Sequence, residues 1–146
     1  GVHVHMTNTS NLPLESLETE YPLTLVAYEL VDGSGGAGEF RGGMGLRRVY
    51  RAEADCRVSV GGSRFISRPW GLGGGLEGGL GSFTVLGAPD RLVNGAGDIF
   101  KGDILEIVTP GAGGYGKPAD RAPAAVATDI RDGRISSADA KAIYGL

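Results

Sequence analysis

Pro22-Leu23-Thr24-Leu25-Val26-Ala27-Tyr28-Glu29-Leu30-Val31 is a strip of apolar, β-branched and aromatic side chains that ends on Asp32-Gly33. Such side chains fit a pleated, half-buried surface, and Asp-Gly is a turn signal, so the stretch predicts a strand running into a turn. Further on, Leu46 to Arg51 and Cys56 to Val60 flank Ala52 to Asp55, and the second segment alternates apolar and polar until Gly61-Gly62. That pattern predicts a hairpin with one wet face. Ser82 to Leu86 reads as a short strand, and Lys101-Gly102-Asp103 as the turn that launches a last strand over Ile104 to Thr109, closed by Pro110-Gly111. Between them, Gly71 to Gly81 is predicted to be a loop, because each interior glycine costs a helix about 1 kcal/mol relative to alanine.

After Pro110 the period changes. Ala122, Val126 and Ile130 fall four apart, with Asp120 as a cap, Pro123 in the first turn and Gly133 as the stop. Ser136-Ser137-Ala138-Asp139 has capping-box-like spacing, and Ile135 can staple onto Ala140 ahead of Ile143 and Tyr144. The expectation is a single α+β domain, β-rich and glycine-punctuated over residues 1–110, with a loop and two short helices over 111–146.

Composition narrows the function classes. Glycine supplies 27 of 146 residues, against a usual share of about 7%. The chain is nevertheless 41% hydrophobic, which disordered chains rarely are, so the glycines are read as turns. With 14 basic and 17 acidic residues and no basic run, there is no electrostatic footprint for nucleic acid or an anionic membrane. Apolar stretches are of strand length only, too short to cross a bilayer as helices. Cys56 is the single cysteine, and the first residues lack the charged leader and apolar core of a signal peptide, so a cytoplasmic setting is expected.

Few residues could carry chemistry. On a strand, His3 and His5 would share a face about 7 Å apart, yet no Asp, Glu or Cys lies among the first fourteen residues to complete a metal site, so none is assigned. Gly111-Ala112-Gly113-Gly114-Tyr115-Gly116-Lys117 superficially resembles a phosphate cradle, but Pro118 stands where a P-loop needs Ser or Thr, and a structural turn is expected. Gly35 to Gly45 brackets Phe40 and Arg41 with glycines, as a wide hairpin loop would, or as backbone passing close to a flat or anionic group would. Cys56, in an alternating strand, is expected to pack rather than react. The polar run Thr7-Asn8-Thr9-Ser10-Asn11 beside Val4, His5 and Met6 is the densest candidate, because buried amides and hydroxyls need partners.

Four stretches in their order and spacing resemble the C-terminal region of the hydantoinase B/oxoprolinase family. They are Val4 to Asn11, Glu18 to Leu23, Ser34 to Gly45 and Thr109 to Gly116, and Ile130-Arg131-Asp132-Gly133 with Ala142 to Leu146 resembles how such polypeptides end. The resemblance implies part of an ATP-dependent enzyme that opens cyclic amides such as hydantoins and 5-oxoproline, with acetone- and acetophenone-type carboxylases and a non-catalytic assembly subunit as alternatives. It implies two partners, a hydantoinase A-type subunit and the remainder of the B-type subunit, and a small cyclic amide as substrate. No cofactor is expected on this chain: ATP and magnesium belong to the A-type partner, and a divalent metal to the upstream B-type region, whose histidines and aspartates, the metal site of the carboxylase branch, have no counterpart here. Within that enzyme His5 and Asn8 are the expected catalytic residues, and Thr7, Asn11 and Arg41 the substrate-binding ones. Ala112 stands where the family usually has glycine. At this length the chain reads as a separately encoded small subunit or a processed fragment, not a catalyst able to work alone.

Overall fold

A computed structural model describes residues 11–145. Its frame is a four-stranded antiparallel sheet built from β1 (Leu23–Val31), β2 (Gly45–Ala52), β6 (Ile104–Val108) and β4 (Ser82–Val85), in that spatial order. A second, two-stranded sheet pairs β3 (Cys56–Ser59) with β5 (Ala96–Ile99). Helix α1 (Leu14–Glu20) precedes the sheet, and α2 (Pro123–Arg131) and α3 (Ser137–Tyr144) follow it. The α+β class and the two terminal helices are as the sequence predicts.

Registers across the large sheet sort its side chains by face. Leu25, Tyr50, Leu105 and Val85 form one row, in partnership Leu25↔Tyr50, Tyr50↔Leu105 and Val85↔Leu105. With Leu23 and Ala52 they meet Ile99, Leu92, Cys56 and Val58 from the small sheet and its turns, and this is the main core. Cys56 thus packs, as expected of it. The opposite face carries charge: Arg47 bridges Glu29 at 2.6 Å and Glu106 at 2.5 Å, and Arg51 reaches Glu53 at 2.8 Å.

Two local expectations are corrected, and two elements are added. The hairpin expected of residues 46–60 does not form: β2 is already paired on both sides, by β1 and β6, so β3 leaves to find β5. The intervening turn is held elsewhere, through the Glu53 amide donating to the Pro22 carbonyl and Asp55 accepting from the Lys101 amide. Asp120 does not cap α2, because Arg121 is extended (φ −69°, ψ 130°) and Ala122 occupies the cap position. Helix α1 and strand β5 go unread in the sequence; α1 is only seven residues long, and β5 contains Gly97 and Asp98, which are poor strand formers.

The second helix does start as read. Ser136 Oγ accepts from the Asp139 amide at 3.0 Å and donates to its carboxylate at 2.6 Å, while Ile135, Ala140 and Val126 close a small second core. Replacing Ser136 by alanine is expected to lower stability by about 1 kcal/mol in urea denaturation with the m-value unchanged.

Candidate functional site

Three glycine-dense segments, 34–45, 70–81 and 110–116, lie backbone against backbone. Gly36 donates to Ala112, Leu76 to Ala37, Gly79 to Ser34, Ala112 to Gly43 and Gly114 to Leu76, at 2.6–2.9 Å. Phe40 and Tyr115 exchange a pair of 2.9 Å bonds. The layer is so thin that a methyl group at Gly42 would overlap the Ala112 carbonyl, and one at Gly113 the Trp70 carbonyl. This answers what the loop between β1 and β2 passes close to: it is a wide hairpin loop, and its neighbours are other glycine segments. It also removes the phosphate-cradle reading, since the amides of Gly111, Ala112, Gly114, Tyr115 and Gly116 all donate to backbone carbonyls.

The layer is tied to the terminal helices by one carboxylate. Asp129, on α2 and 1% exposed, accepts from Arg121 Nη2 at 2.7 Å, Arg41 Nε at 3.2 Å and Arg134 Nη1 at 3.4 Å. Arg41 also donates to the Gly42 carbonyl at 2.8 Å, and Arg121 to the Glu39 carbonyl at 2.8 Å. Arg41 is therefore engaged inside the chain through Nε and Nη1. Asp129 was missed in the sequence; its signal is that it lies three residues after Val126 and so shares the buried face of α2. Nearby, burial pushes the Tyr144 phenol up.

Of the other residues singled out in the sequence, His5, Thr7 and Asn8 lie outside the described residues. Asn11 is exposed and donates through Nδ2 to the Tyr28 hydroxyl at 3.2 Å. That hydroxyl also accepts from Arg48 Nη2 at 3.0 Å, and the Arg48 guanidinium stands 4.7 Å from the Tyr28 ring centroid. Asn11, Tyr28 and Arg48 share a cavity of about 110 Å³ with Leu12, Leu14 and Tyr50. Asn11, the last residue of that polar run, thus meets the phenol of Tyr28, a residue the sequence does not single out. Across the sheet a larger groove, about 580 Å³, opens beside Phe65, Leu80, Phe83 and Asn94.

Residues 1–118 match the family described as Hydantoinase B/oxoprolinase. The chain belongs to this family. It is 37% identical over 120 residues to 5-oxoprolinase 1 of Arabidopsis thaliana, covering 80% of this chain and 10% of that one. Among solved structures, it superposes on an ATP-dependent caprolactamase from Pseudomonas jessenii with a TM-score of 0.66 and 33% identity, over 91% of this chain and 24% of that one. It superposes on the nucleotide-free acetone carboxylase with a TM-score of 0.68 and 26% identity, over 91% and 22%. The chain spans about a quarter or less of the length of the curated relatives it matches.

The family signature and the geometry coincide: the stretches Ser34 to Gly45 and Thr109 to Gly116 that carry the resemblance are two of the three segments of the glycine layer. The third, 70–81, is hydrogen-bonded to both. Among the described residues no group of three or more His, Cys, Asp or Glu side chains is placed to hold a metal ion. Among the same residues no helix is long and apolar enough to cross a membrane.

Proposed function

We propose that this chain is a small subunit or C-terminal part of a B-type polypeptide in an ATP-dependent enzyme that opens cyclic amides of the hydantoin and 5-oxoproline kind. The observation that carries the reading is the match to an ATP-dependent caprolactamase over 91% of the chain at 33% identity. The described residues support a part rather than a whole catalyst. Their most buried carboxylate is saturated by three arginines, and their glycine amides donate to their own backbone. ATP and magnesium act on a hydantoinase A-type partner, a divalent metal is held by the remainder of the B-type polypeptide, and the setting is cytoplasmic.

In the assembled enzyme His5 and Asn8 are the catalytic residues, and Thr7 and Asn11 bind substrate. Arg41, with two nitrogens committed to Asp129 and Gly42, acts by positioning its loop. Asn8→Ala is expected to lower kcat/KM by about 10- to 100-fold, the equivalent of one hydrogen bond to developing charge, at unchanged assembly and melting temperature. Loss of stability with normal kinetics in the surviving complex would assign the segment to structure.

A second reading, an acetone-type carboxylase, is favoured by the TM-score of 0.68 to acetone carboxylase. One experiment separates the readings: the chain, co-expressed with its A-type partner and the rest of the B-type polypeptide, is assayed for ATP-coupled opening of hydantoin or 5-oxoproline. Fixation of bicarbonate onto a ketone instead would establish the carboxylase. Full activity of a His5→Ala, Asn8→Ala complex would leave this chain a purely structural role.

A further inference from the structure

Nine of the eleven arginines pair with a carboxylate. Of the other two, Arg64 stacks 4.6 Å from the Trp70 ring and bonds Ser67 and the Arg68 carbonyl in solvent. Arg48 is different. It sits on an interior strand, on the sheet face that forms the main core, in the row Tyr28↔Arg48↔Ile107↔Phe83 that crosses all four strands. Among the described residues its buried Nε has no hydrogen-bond partner and no carboxylate pairs with it. A half-buried cation lacking a counter-charge is unfavourable, so its retention calls for an explanation.

This row is where the cover of the sheet runs out. The preceding row, Leu25 to Val85, is roofed by the small sheet, whereas Tyr28 is 50% and Leu30 56% exposed. At the far end the face continues past Phe83 into the apolar groove, where Phe65 meets Phe83 edge-on at 4.9 Å and Ile66 is 90% exposed. The groove is built for an aromatic wall: a methyl group at Gly62 or at Gly81 would come within 2.9 Å of the Phe65 ring. An apolar surface of this extent with one unpaired charge at its centre has the composition of an interface core.

We propose that the open half of this sheet face docks the rest of the B-type polypeptide, and that the docking surface is apolar and brings one Asp or Glu carboxylate to Arg48. Two observations select this occupant. The solved relatives continue well beyond this chain, which covers only 22–24% of them, so ample polypeptide exists to cover the face. A second copy of the chain does not fit: every sheet carboxylate, Glu29, Glu106 and Asp98 included, is already engaged by an arginine, and a two-fold contact centred here would set Arg48 against Arg48.

The inference rests on the chain working within a B-type polypeptide, and its test reads assembly rather than turnover. Arg48→Met in the free full chain is expected to leave the melting temperature unchanged or raise it, since it removes a half-buried cation that has no carboxylate partner among the described residues. In the complex with the rest of the B-type polypeptide the same variant is expected to bind at least about 30-fold more weakly, the loss seen when one side of a buried charge pair is removed. Arg48→Lys supplies an amine that a zero-length carbodiimide can couple to a touching carboxylate, and peptide mass spectrometry should find it joined to an Asp or Glu outside residues 1–146. Attachment within residues 1–146, or a complex indifferent to Arg48→Met, would overturn the proposal. Failure to form any complex would instead remove the reading on which it rests.

Discussion

Asp129→Ala is expected to destabilise the chain by about 3–5 kcal/mol, the range seen when one partner of a buried ion pair is deleted and its counter-charges stay behind. The carboxylate is 1% exposed, and Arg41 and Arg121, each with only 12% of the side chain accessible, would face one another unscreened once it is gone. Arg134, at 41%, can turn to water and adds little. The damage should be local before it is global. Arg41 belongs to the loop between β1 and β2, Arg121 precedes α2, and both converge on this carboxylate, so amide exchange in α2 and α3 is expected to accelerate before that in β2 and β6. The control is Asp132→Ala, whose partners Arg131 and Arg134 are more open to solvent and whose loss should stay within about 1 kcal/mol in the same urea titration.

Gly113→Ala is the second large effect, and it acts through the opposite kind of contact. The added methyl would overlap the Trp70 carbonyl, which belongs to backbone rather than to a side chain that could swing aside. Segments 70–81 and 110–116 are held together by the Leu72 amide on the Gly114 carbonyl at 2.9 Å and the Gly114 amide on the Leu76 carbonyl at 2.9 Å. Separating them to admit a methyl breaks such bonds, so the loss should exceed about 3 kcal/mol, the upper end of ordinary overpacking. Gly61→Ala is the contrast: a methyl there meets nothing within 4 Å, and the change should be neutral or stabilise by up to about 1 kcal/mol through the unfolded chain. Equal effects at the two positions, measured by denaturant midpoint, would show that the glycine layer is looser than its geometry.

The positions of Ala112 and Gly113 show how far sequence reading can go. Both lie in one glycine-rich run, and from the sequence Ala112 is merely the residue where a glycine is more usual. In the fold Ala112 has room for its methyl while its neighbours on either side, Gly111 and Gly113, abut the carbonyls of Ser34 and Trp70. Nothing local distinguishes them, because the obstructing atoms belong to segments forty or more residues away. Arg41 makes the same point for the site: the glycines around it fit a wide hairpin loop or backbone passing close to a flat or anionic group, and only the fold shows its Nε on Asp129, 88 residues along the chain.

What the sequence by itself determined is what short-range physics controls. Apolar, β-branched and aromatic runs between turn signals placed β1, β2, β4 and β6, Gly102 with φ +93° made the turn into β6, Gly133 with φ +71° ended α2, and the Ser136 cap began α3. Those features depend on neighbours within about four residues, and the family resemblance rests on motifs equally local. It took the assembled fold to show that β3 abandons β2 for β5, that three distant glycine segments share one backbone layer, that a single carboxylate gathers three arginines, and that Arg48 has none among the described residues. Each of these depends on which edges, faces and charges remain unsatisfied after the local elements have formed, and that remainder is a property of the assembled chain.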